Sequence, residues 1–137
     1  MESALRQVRL IQIAMLAAIA LYVVVGESVG RRLQPNPVLF CVLSFVSISV
    51  VGAILVARRT LISQSEAQLR EEPGDATILG RWRGGYIVTY ALCETLALLG
   101  LVLRMTGFVL AQVWPFYLGG CALMVFYAPR APRAESK

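Results

Sequence analysis

Four apolar runs divide the chain, and polar residues, glycine and proline collect between them. The runs cover about Val8–Gly26, Val38–Ala57, Gly85–Leu103 and Phe108–Ala128. Each is close to the roughly 20 residues that an α-helix needs to cross about 30 Å of hydrocarbon. No run alternates with a period of two. Helices are then the remaining way to satisfy backbone groups in lipid. The pattern predicts an all-α fold, an integral membrane bundle of four transmembrane helices built as two helical hairpins, in a single domain over residues 1–137.

The connections differ in character. Ser28–Pro37 holds the breakers Gly30, Pro35 and Pro37, and Met105-Thr106-Gly107 reads as a tight turn. The long connection, residues 58–84, keeps a modest apolar stripe of Leu61, Ile62, Ser65 and Leu69 at helical spacing. The second span is therefore expected to continue as a helix beyond the membrane and to stop before Pro73-Gly74. Asp75 is placed to cap the next helix, with Trp82 at the interface. In the fourth span Pro115 should free a carbonyl near Ala111.

Composition sharpens this picture. Apolar residues make up 58 % of the 137 and charged residues 15 %, against about 45–50 % and 25 % for soluble domains. Mean hydropathy is +0.69. The chain has no histidine, which removes imidazole from any metal, acid–base or pH-switch chemistry. Cys41, Cys93 and Cys121 stand far apart inside apolar runs, without C-x-x-C spacing, and read as small buried thiols. No nucleophile–base pair or cluster of metal ligands is visible, so neither an enzyme nor a cofactor is expected.

The net charge of +5 reads as an orientation signal. Arg6, Arg9, Arg58, Arg59, Arg70, Arg81, Arg83, Arg130, Arg133 and Lys137 fall on one side of the four spans, and Arg31, Arg32 and Arg104 on the other. The richer side faces the cytoplasm by the positive-inside rule, which puts both termini and the long connection there. The positive residues form no basic stripe, so nucleic acid is not an expected partner and the lipid bilayer is. A second copy of the chain or a membrane complex is the expected protein partner.

One residue breaks the rule that charge stays out of the hydrocarbon. Glu94 lies mid-way along the third span, where a charged side chain costs on the order of 2.5–3.5 kcal/mol. Protonation, a polar partner or a water-filled cavity relieves that cost. Tyr90, one turn earlier, is its nearest candidate partner. Gln12, Gln112, Ser44 and Ser47 are candidates from other helices. Glu27, at the end of the first span beside Ser28 and Arg31, reads as an interfacial carboxylate. Ser44, Ser47, Ser49, Gly52 and Ala53 in the second span, and Gly119, Gly120 and Ala122 in the fourth, are small residues that permit close helix approach.

The run Glu94-Thr95-Leu96-Ala97-Leu98-Leu99-Gly100-Leu101-Val102 resembles the carboxylate helix of rotary ATPase proteolipids, the c-type subunits. There too a small-residue helix and a polar loop precede the carboxylate helix. The resemblance implies that Glu94 matches the ion-carrying carboxylate and Pro73 the loop proline. The chain lacks the family's Gly-x-Gly-x-Gly run, has a longer loop and carries two extra helices, so the resemblance extends to a protonatable Glu on a helix and not to a rotary ring. Small multidrug transporters are also four-helix proteins with one membrane-embedded Glu, but theirs lies on the first helix, where this chain has Ala18 and Ala20. The function expected is a small polytopic membrane protein that uses Glu94 to bind a proton or cation. The alternatives are a structural or accessory subunit of a membrane complex and a small dimeric transporter.

Overall fold

The computed structural model describes residues 2–29, 34–72 and 74–130. Gly30, Arg31, Arg32, Pro73, Arg133 and Lys137, which the sequence reading used for turns and charge counting, lie outside these residues. The described residues form an all-α bundle of four helices: α1 (Glu2–Val29), α2 (Pro37–Glu71), α3 (Ala76–Met105) and α4 (Leu110–Phe126). Three of them, α1, α2 and α3, are long and apolar enough to cross a bilayer. The fourth, α4, is a shorter apolar helix of 17 residues, about 26 Å at the helical rise.

Each boundary has a local cause. Asn36 caps α2 by accepting from the Val38 N–H at 2.9 Å, with Pro37 in the first turn, where its missing N–H costs nothing. Asp75 caps α3 by accepting from the Thr77 N–H at 2.7 Å and the Ile78 N–H at 3.4 Å. The α3–α4 turn closes as a Schellman motif: Phe108 N–H donates to Leu103 O at 3.3 Å and Gly107 N–H to Arg104 O at 3.4 Å. It requires a left-handed residue, which Gly107 supplies at φ 106°.

The second helix runs without a break for 35 residues, about 52 Å and well beyond the hydrocarbon thickness. It is α-helical to Ala57, widens to a π-helical turn over Arg58–Ser63, and is α-helical again over Gln64–Glu71. Its extension packs on the start of α3. We call this the loop end of the bundle, and the Gly107 end the turn end.

The core sits along α3, which packs against each of the other three helices. α1 also touches α4, whereas α1 and α2 each lie on α3 rather than on one another. Trp82, Tyr86, Thr89, Tyr90, Cys93, Leu96, Ala97, Gly100 and Leu103 form the buried face of α3. Gly120 lets α4 come close: a β-carbon there would lie 2.7 Å from Cys93 O. Gly85 does the same for α2, since its β-carbon would meet Ile62 Cγ1 at 2.8 Å. The small face of α2 stays open instead. Ser49, Gly52 and Ala53 are exposed, and a β-carbon on Gly52 would meet nothing within 4 Å.

Candidate functional site

Hydroxyl groups inside the helices are satisfied mainly by their own backbones. Ser47, Ser49, Thr89 and Thr95 donate to the carbonyls of Leu43, Phe45, Gly85 and Ala91, each four residues earlier, at 2.8–3.1 Å. This settles most small polar groups locally and leaves few to bond across helices. Glu94 is one that does bond across.

Glu94 is half-buried on α3, and its Oε1 accepts a hydrogen bond from the hydroxyl of Tyr22 on α1. The geometry follows from helix direction. α1 and α3 run parallel, and the Arg104–Glu27 pair holds their turn ends level. Glu94 then lies about 15 Å below Arg104 and Tyr22 about 7.5 Å below Glu27 by helical rise. Helical side chains lean toward the N-terminus, so the long Tyr22 phenol reaches down α1 toward the carboxylate.

The other sequence candidates are used elsewhere. The Tyr90 hydroxyl donates to the carbonyl of Tyr127 at 3.3 Å. Gln12 Nε2 donates to Met124 O at 2.9 Å and joins α1 to α4. Gln112 Oε1 accepts from the Val109 N–H at 3.3 Å at the start of its own helix. Ser47 is bonded to Leu43, and Ser44 is half-buried on α2. The structure therefore brings none of these five to Glu94 and brings Tyr22 instead. The available signal was Tyr22 as the one aromatic residue of the first apolar run.

At the turn end, Arg104 ties three elements together. Its Nε donates to Glu27 Oε1 at 2.8 Å, Nη2 to Glu27 Oε2 at 3.4 Å and Nη1 to Phe108 O at 3.1 Å. Glu27 thus pairs across to α3. Both residues lie just past their apolar runs. The guanidinium bond holds the Glu27 carboxyl below its ordinary value, and the same bond pushes Arg104 up. Gly26 allows this approach, because a β-carbon there would meet Arg104 Cγ and Tyr117 Oη, each at 3.2 Å.

An apolar groove of about 230 Å³ opens between α2 and α4, with Leu96 of α3 as its floor and Ile48, Val51, Pro115 and Phe116 among its walls. Glu94 does not line it. Pro115 sits inside α4 without ending it. The polar site is accordingly the α1–α3 contact and not this groove. What the Glu94–Tyr22 pair can do chemically is keep its hydrogen bond in either protonation state of the carboxyl: a phenol donates to a carboxylate and accepts from a carboxylic acid. No protein-family model, curated protein or solved structure matches the chain.

Proposed function

We propose that the chain is a small polytopic membrane protein in which Glu94 binds and releases a proton or small cation, with Tyr22 as its partner. The observation that supports this reading is the hydrogen bond from Tyr22 to a half-buried carboxylate in the middle of an apolar helix. A carboxylate at that depth is costly when charged, and the phenol satisfies either protonation state without repacking the helices. The likeness of Glu94–Val102 to the proteolipid carboxylate helix points the same way. Excess Lys and Arg at the loop end argue for both termini in the cytoplasm, with lipid and a second copy or membrane complex as partners.

A second reading has one observation in its favour. The same hydrogen bond joins α1 to α3, so Glu94 would serve as helix glue in a structural or accessory subunit. Labelling with a hydrophobic carbodiimide across pH, read by mass spectrometry, separates the two. An exchanging carboxyl is modified at Glu94 in a pH-dependent way, and faster in Tyr22→Phe. Absence of modification at every pH in Tyr22→Phe, with the reagent shown to label a control carboxyl placed at Leu98, rules out the ion-binding reading.

A further inference from the structure

The loop end of α2 carries an arginine where its neighbours on the same stripe are buried. Ile54, Ile62, Ser65 and Leu69 are buried along the face turned toward α3, and Arg58 stands among them, one turn from Ile54 and one from Ile62. Its guanidinium carbon lies 3.9 Å from the centroid of the Tyr127 ring and 5.9 Å from that of Tyr86.

The surround is firmly built. The Tyr127 carbonyl is held by the Tyr90 hydroxyl, and Tyr86 packs edge-on against Trp82 at 4.9 Å. Gly85 brings Leu61 and Ile62 of the π-helical turn hard against α3. Such turns are frequent at functional sites.

This cation has no acidic counterpart among the described residues. Glu66, further along the same helix, accepts from Trp82 Nε1 at 3.4 Å, and the Arg104–Glu27 pair lies at the opposite end. Arg58 Nη1 is buried and has no hydrogen-bond partner among the described residues. Stacking occupies the face of a guanidinium and leaves its in-plane N–H groups to an acceptor, and their fork matches phosphate. Arg58 directly follows the apolar run 38–57 and stands beside Tyr86 and Tyr127, and aromatic residues at the end of an apolar run are typical of the headgroup level of membrane helices.

We propose that Arg58 is the phosphate-binding residue of a site for an anionic phospholipid headgroup at the loop end of the bundle. The test uses the full chain in neutral detergent and follows thermal unfolding on titration with phosphatidylglycerol, phosphatidylcholine or inorganic phosphate. Wild type, Arg58→Gln, Arg58→Lys and Arg59→Gln are compared, each against its own lipid-free midpoint. Arg59 is the exposed neighbour and controls for general surface charge. Phosphatidylglycerol should raise the midpoint of wild type and Arg59→Gln with similar apparent affinity. That affinity should fall at least about fivefold in Arg58→Gln and fall also in Arg58→Lys, which keeps the charge but loses the fork. Equal affinity in wild type and Arg58→Lys overturns the assignment, and so does an equal loss in Arg59→Gln. Inorganic phosphate acting at the same concentration as the lipid would make this a free-phosphate site and overturn the lipid assignment.

Discussion

Gly119 and Gly120 are neighbours in sequence with opposite surroundings, and replacing each by alanine tests the packing of α4 directly. A β-carbon on Gly120 would lie 2.7 Å from Cys93 O and 3.6 Å from both Ala97 Cβ and Ala97 N. A carbon–oxygen contact normally settles at about 3.3–3.6 Å, so α3 and α4 must part by roughly 0.6 Å or more. The blocking atom is backbone and cannot swing away. Overpacking of this kind costs about 1–3 kcal/mol, and alanine returns up to about 1 kcal/mol in helix propensity. Gly120→Ala should therefore destabilise by about 1–2 kcal/mol. A β-carbon on Gly119 meets nothing within 4 Å, and Gly119→Ala should be neutral or more stable by up to about 1 kcal/mol. Helicity followed through denaturing-detergent titration gives both values. Equal stability of Gly120→Ala and wild type refutes the close α3–α4 contact.

Two further outcomes follow from the helix ends. Asp75→Ala removes the α3 cap and should cost about 1 kcal/mol, measured in the same titration, whereas Asp75→Asn should be nearly neutral. Glu27→Gln should destabilise at neutral pH. The Glu27 carboxyl is lowered from 4.5 by Arg104, so the charged pair contributes above 4.5 and its contribution fades as pH falls through the depressed value. The stability gap between wild type and Glu27→Gln should accordingly close on acidification. A gap of constant size from neutral to acidic pH would show that the charge on Glu27 plays no part.

Several features of the fold were legible because their causes are local. Apolar run length gave the helical content, Asp75 after Pro73-Gly74 marked the start of α3, and Gly107 marked the α3–α4 turn. The stripe Ile62, Ser65, Leu69 carried α2 past Ala57. Rotation about the helix axes was not legible, and it decides the partners. Tyr90 and Glu94 are four residues apart, about 40° round the helix. With α1 and α4 side by side against α3, that difference sends Tyr90 to Tyr127 and Glu94 to Tyr22. Arg58 shows the same blindness. Counted by sequence it is one of ten charges that set orientation, whereas the structure turns it inward onto Tyr86 and Tyr127. The small residues of α2 predict close approach, yet Gly52 faces open space because α2 touches only α3 along most of its length.

The central claim is that Glu94 exchanges a proton inside the bundle while bonded to Tyr22. Difference infrared spectroscopy of the protein in lipid, titrated in pH, reads it directly. A carboxyl C=O band should come and go with pH in wild type, disappear in Glu94→Gln, and shift in frequency in Tyr22→Phe because the hydrogen bond is gone. A wild-type difference spectrum that matches that of Glu94→Gln at every pH would contradict the account.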